Sequence, residues 1–203
     1  GAYGVSAKSF LNDLRTVTGD EVAVEINSPG GDFFAGLAIY NGLRASGKKI
    51  TVKVLGLAAS AASLVAMAGD TIEMAENSFL MMHKTLTHMF ANADDMRETA
   101  EVLDKFDAGL VSIYAKRTGK SAEEITALLE SETWMTAQEA VDAGFATSVT
   151  AALAVKASYS EDRLPENVRL AFKAQAPTTG ASAPAEAPAP VFGETLASYA
   201  QTI

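Results

Sequence analysis

Three short segments, in fixed order, carry residue types that could perform acyl transfer. They are Ile26-Asn27-Ser28-Pro29-Gly30-Gly31-Asp32, Gly56-Leu57-Ala58-Ala59-Ser60-Ala61-Ala62-Ser63 and Phe79-Leu80-Met81-Met82-His83. A glycine pair after a strand can turn free backbone N–H groups toward an anion. A serine among small residues at a helix start offers a hydroxyl nucleophile, and a histidine closing an apolar run offers a base. Oxyanion hole, nucleophile and base are the parts an acyl-enzyme reaction needs.

Each part also has a plainer explanation. Ala58, Ala59, Ala61 and Ala62 clear space around Ser60 for a substrate backbone. If a helix opens there, its dipole and unpaired N–H groups favour a developing negative charge. Equally, serine in such a stretch can simply tolerate close helix packing. Ser63 is the weaker nucleophile, because it falls inside the helix, away from free N–H groups. His83 ends its strand beside the edge where α/β sheets bind ligands, although a lone histidine is often just structural. His88, in a more polar stretch, is the weaker base. A third member must be a carboxylate that holds the imidazole tautomer. Glu132, just before Thr133-Trp134-Met135-Thr136, fits that place; a solvated glutamate without a role would read the same way.

The elements that must position these groups follow from periodicity. Residues 7–16 predict an amphipathic helix with Phe10, Leu11 and Leu14 on one face, and Glu21 to Ile26 alternates as a strand. Asn27 to Gly31 is turn chemistry, in which Pro29 pins one φ and the glycines reach angles closed to other residues. A helix from Phe34 to Ser46 ends at Gly47. Lys49 to Leu55 is the next strand, followed by the small-residue helix and two short strands, Thr71–Met74 and Phe79–Met82. From Asn92 to Arg117 the spacing of Met96, Ala100, Leu103, Phe106, Leu110, Ile113 and Tyr114 predicts one long helix closed by Gly119. Ser121 with Glu124, and Thr136 with Glu139, are capping boxes that open two more helices, the second ending at Gly144. Strands alternating with helices argue an α/β domain with a largely parallel sheet.

Bulk properties narrow the partners. The 203 residues suit one domain with an appendage, and nearly half are apolar, 48%. A net charge of −9 disfavours nucleic acid and anionic membrane. Zero cysteines and two histidines remove disulfides, thiolate chemistry and a histidine-rich zinc site, and the missing cysteine suits a reducing compartment. The uncharged run Val54 to Gly69 is too short to span a bilayer and reads as a strand end entering a buried helix. The chain does not open on methionine, so a leader or first strand is expected to precede it. Four of the six prolines (Pro177, Pro184, Pro188 and Pro190) crowd one late stretch. This predicts a flexible Ala/Pro-rich linker over 174–190, after a domain extension at 151–173 and before a short segment at 191–203.

Taken together, the segments resemble the ClpP-type serine proteases, and most closely the ClpP-related enzymes of phages and prophages that process capsid proteins. The resemblance covers residues 1–150. It is carried by INSPGGD (26–32), GLAASAAS (56–63), MAGD (67–70), MAEN (74–77), MMH (81–83), TGKSAEEI (118–125) and ETWMTAQEAVDAGFA (132–146). It implies a ClpP/crotonase-like spiral of ββα units with a long handle helix. It places the nucleophile on Ser60, the base on His83 and the acid on Glu132, where many relatives carry aspartate. The oxyanion donors fall on the N–H groups of Gly31 and Ala61. The family's first strand is absent from this N-terminus. The handle implies a homo-oligomer, and a phage or prophage origin implies the bacterial cytoplasm.

The chemistry so implied is peptide hydrolysis through an acyl-serine, with the substrate lying extended along Gly30 and the Gly30–Gly31 strand. Implied substrates are polypeptides, including capsid or scaffold protein and the chain's own tail. No metal, nucleotide or organic cofactor is called for, and Gly-Gly alone is no nucleotide motif. Three alternatives stay open. An acyl-CoA enzyme on the same architecture would use carboxylates instead. A Ser–Lys dyad would use Lys53 or Lys84. A catalytically silent assembly subunit would keep the fold and the handle alone.

Overall fold

The computed structural model describes residues 5–151, so the linker over 174–190 and the segment at 191–203 lie outside the described residues, as does all but the first residue of 151–173. Helix α1 (Ala7–Thr16) starts where Ser6 Oγ accepts the Ser9 N–H at 3.1 Å. Strand β1 (Glu21–Ser28) alternates exposed and buried, turning Val22, Val24 and Ile26 inward. Asp32 caps α2 (Phe33–Ala45), after which β2 (Lys49–Ala59) leads through Ser60 into the short helix α3 (Ala61–Ala66). Strands β3 (Thr71–Ala75) and β4 (Phe79–Met82) precede the long helix α4 (Ala93–Thr118). Helix α5 (Ala122–Glu130), β5 (Thr133–Thr136), α6 (Ala137–Asp142) and β6 (Ser148–Thr150) complete the described chain.

One six-stranded sheet has the order β5-β4-β2-β3-β6, with β1 also on β2. Every pairing is parallel except β4 with β5. Strand β2 organises it by changing partners. Thr51–Val54 pairs with β3, and Leu57–Ala59 pairs with β4. Between these runs the register against β1 slips, from Ile26 opposite Val54 to Ser28 opposite Ala58. Gly56 sits at the slip, where an added Cβ would stand 2.8 Å from Asn27 Oδ1. An irregularity of this kind bends and twists a strand. The bend delivers the end of β2 alongside β4, so Ser60 and His83 leave neighbouring parallel strands at the same edge.

The core lies between the sheet and its helices. Ile50, Val52, Val54, Ile72, Met74, Leu80 and Met82 are almost fully buried, as are Leu64, Tyr114, Ile125, Leu129 and Phe145. Arg117 ties the end of α4 to the sheet, donating to the Gly69 carbonyl and to Thr147 Oγ1, both at 3.0 Å. Both expected capping boxes form, at Ser121/Glu124 and Thr136/Glu139. Among the described residues no helix is long and apolar enough to cross a membrane.

Three local expectations change. Strand β2 runs to Ala59 rather than Leu55, because its small residues pair with β4 as a parallel strand. Residues 133–136, where the sequence predicts no strand, form β5, because Trp134 and Met135 pair across to Met81 and Leu80, while Thr136 still caps α6. In α4 the expected apolar face is fully buried only at Leu110 and Tyr114; Met96 is 48% exposed, and none of the described residues covers that part of the helix.

Candidate active site

Ser60 occupies the turn between β2 and α3 at φ 53° and ψ −123°, a conformation L residues rarely adopt. Such a strand-to-helix turn lifts the side chain to its crest and survives only where its surroundings over-determine it. Here the Ser60 N–H donates to the Met81 carbonyl at 2.9 Å. Its own carbonyl accepts from the Ser63 N–H at 3.0 Å, the Leu64 N–H at 3.3 Å and Ser63 Oγ at 2.7 Å. Ala58, Ala59, Ala61 and Ala62 are all buried. Their small size lets the turn pack closely against β4 and α2.

His83 follows the last residue of β4, and its Nε2 lies 2.7 Å from Ser60 Oγ. When the hydroxyl donates this bond, the neutral ring carries its proton on Nδ1. The β4–β5 register sets Met82 opposite Thr133. Carried one step further, it brings Glu132 level with His83. Glu132 is exposed, has φ 46°, and accepts the Trp134 indole N–H at 3.3 Å; no hydrogen bond joins it to His83.

The glycine turn closes on the serine from the other side. Gly30 and Gly31 stand at φ 97° and 153°. A Cβ on Gly30 would approach the Ala59 carbonyl to 2.6 Å, Ser60 Cβ to 2.8 Å and Ala61 N to 3.0 Å. Only a residue without a side chain fits there. The Gly30 N–H donates to Ser28 Oγ at 3.0 Å. Among the described residues, neither the Gly31 nor the Ala61 N–H is committed to a protein acceptor.

The remaining candidates fall elsewhere. His88 is exposed beyond the strand. Lys84 pairs with Glu130 at 3.0 Å, and that bond raises its pKa, which suits a base poorly. Lys53 lies mid-strand in β2, in register with Glu25 and Glu73. Ser63 is fully buried, with its Oγ 2.8 Å from the Tyr114 hydroxyl. Sequence reasoning missed this contact, taking Tyr114 as one more apolar residue of its helix. A hydroxyl in an otherwise apolar stripe, with a serine on the helix that Ser60 opens, was the available signal. Among the described residues no cluster of three or more His, Asp or Glu side chains could hold a metal ion.

Comparisons with known proteins bear on the family and on the fold. A sequence profile of the family described as Clp protease matches residues 9–152. The ATP-dependent Clp protease proteolytic subunit of Bacteroides fragilis is 32% identical over 133 residues, 64% of this chain and 64% of that protein. Subunit 1 of the same protease from Protochlamydia amoebophila is 33% identical over 138 residues, covering 66% and 67% respectively. The match thus spans slightly less than two thirds of the Bacteroides relative. A ClpP1 point mutant from Listeria monocytogenes superposes with a TM-score of 0.65 at 21% identity, over 71% of this chain and 84% of that one, a likeness of fold.

Proposed function

The chain belongs to the Clp protease family, and from that premise we propose that it is a serine endopeptidase acting through Ser60, His83 and Glu132. The observation that carries the proposal is the 2.7 Å contact between Ser60 Oγ and His83 Nε2, at a turn where the Gly31 and Ala61 N–H groups have no acceptor among the described residues. In this reading His83 takes the hydroxyl proton as Oγ bonds to the scissile carbonyl carbon. The N–H groups of Gly31 and Ala61 receive the oxyanion. His83 then gives the proton to the departing amine, and water, activated by the same ring, releases the acyl group. Glu132 stabilises the imidazolium from the Nδ1 side, turning toward it from Trp134. The substrate lies extended against the Gly30–Gly31 segment, held by main-chain hydrogen bonds, so selectivity among side chains is modest.

The exposed first half of α4, with Met96 and Val102 at its surface, supports a homo-oligomer assembled through this helix. The finer assignment, processing of capsid or scaffold protein by a phage or prophage enzyme, rests on the likeness of the motifs. Replacing Ser60 with alanine tests the core of the proposal. It should abolish both peptide cleavage and labelling by a peptide phosphonate, and undiminished labelling of that variant would dismiss Ser60.

A further inference from the structure

The Tyr114 hydroxyl, Ser63 Oγ and the Ser60 carbonyl form a short buried chain of hydrogen bonds, 2.8 Å and 2.7 Å long. Proton counting fixes its direction. A carbonyl only accepts, so the single Ser63 proton goes to Ser60, and Ser63 must accept from Tyr114. The order is Tyr114 O–H to Ser63 Oγ–H to Ser60 C=O. Tyr114 reaches in from the C-terminal part of α4 and is 1% exposed, its ring edge-on to Phe145 with centroids 5.9 Å apart. Burial pushes its pKa up to about 12, so it remains a donor at any working pH.

The consequence follows from peptide geometry. The Ser60 C=O and the Ala61 N–H belong to one planar, trans unit and point in opposite directions. Whatever holds the carbonyl inward therefore aims the N–H outward, from the start of α3 toward the space beside Gly30 and Gly31. The two main-chain donors to this carbonyl come from α3 itself and would rotate with it. The Ser63 hydroxyl is also on α3, but its partner Tyr114 comes from α4 and supplies an external reference.

We propose that Tyr114 and Ser63 are positioning residues that aim the Ala61 N–H by anchoring the Ser60–Ala61 peptide. This rests on the reading of Ser60 as nucleophile. An oxyanion donor matters most in the transition state, so losing its aim lowers kcat and leaves substrate binding alone.

The test compares Tyr114→Phe, Ser63→Ala and the double variant, by steady-state cleavage of a fluorogenic peptide and by the rate of Ser60 labelling with a peptide phosphonate. Tyr114→Phe keeps the ring against Phe145 and should lower kcat and labelling about fivefold. Ser63→Ala should lower them about tenfold. KM should stay within about twofold and the pH–rate profile should not move, as expected for aim rather than acid–base chemistry. Because Tyr114 acts only through Ser63, the double variant should be no slower than Ser63→Ala. Wild-type kcat in Tyr114→Phe, or losses that multiply in the double variant, would overturn the proposal while Ser60 labelling still upholds the nucleophile. If Ser63→Ala does not fold, the kcat of Tyr114→Phe decides alone. Absence of labelling in the unaltered protein overturns the nucleophile reading and this inference with it.

Discussion

Two turns among the described residues hold a non-glycine residue at positive φ, Ser60 at 53° and Glu132 at 46°, and they are built in opposite ways. The serine turn is half-buried at Ser60 and buried on either side, its carbonyl meets three donors, and its N–H is tied to β4. The glutamate turn is exposed, and its N–H reaches the Leu129 carbonyl at 3.4 Å. Among the described residues its carboxylate is hydrogen-bonded to Trp134, itself 53% exposed. Backbone strain costs about 1–3 kcal/mol wherever it occurs. At Ser60 the surroundings hold the strained form rigidly, as a preorganised nucleophile requires. At Glu132 one backbone hydrogen bond and one indole contact hold an exposed turn, which leaves the carboxylate able to change partners. Under the proposed mechanism, the difference separates a part that must not move from one that must turn toward His83.

The sharpest way to break the comparison is to disturb the rigid turn from outside. Gly30→Ala would force a Cβ to 2.6 Å from the Ala59 carbonyl at a backbone φ of 97°. Displacing Ser60 and Ala61 in this way should lower kcat/KM about 10²–10³-fold, the scale of losing an oxyanion donor. Gly47→Ala is the control, at φ 71° with nothing within 4 Å of the added carbon. It should cost about 1 kcal/mol of stability and leave kcat/KM unchanged. Equal activity in both variants would show that the Gly30 contact does not govern the turn.

The next effect probes how dry the rigid region is. Tyr114 has its pKa raised by burial to about 12 from an ordinary 10.0. Below pH 10 the phenol is neutral in both folded and unfolded chains, and its contribution to stability is complete. Between pH 10 and 12 the unfolded chain ionises first, so stability falls with rising pH, by about 2–3 kcal/mol in total. Chemical denaturation of the wild type and Tyr114→Phe across that window checks this. The variant should lose that part of the alkaline slope and keep the rest.

The same contrast explains what could be read from residues alone. The capping boxes and the extent of α4 were legible because their signals are local: a hydroxyl three residues before a carboxylate, and a stripe of apolar side chains. The approach of Ser60 to His83 was suggested by segment order, but it depends on β2 changing partners at Gly56, a feature of register that no single strand reveals. Strand β5 was missed because Thr133–Thr136 is short and next to a strong helix cap. The exposure of Met96 was missed because periodicity marks an apolar face without saying what covers it. The Tyr114–Ser63 bond joins residues far apart in sequence, and neither member looks unusual alone.

The smallest effects come from the exposed turn, where stability and activity should move in opposite directions. Glu132→Gln removes the charge but keeps the shape and the indole contact. It should lower kcat about tenfold, well short of the ~10⁴-fold cost at a buried triad acid, because water partly replaces an exposed carboxylate. Glu132→Gly should lower kcat at least as much, yet raise stability by about 1 kcal/mol, since glycine takes φ 46° without strain. Melting curves and kinetics on the two variants separate the contributions. Should Glu132→Gly destabilise the fold, the carboxylate would be holding its turn rather than being held by it. The acid side of the site would then be as rigid as the serine side.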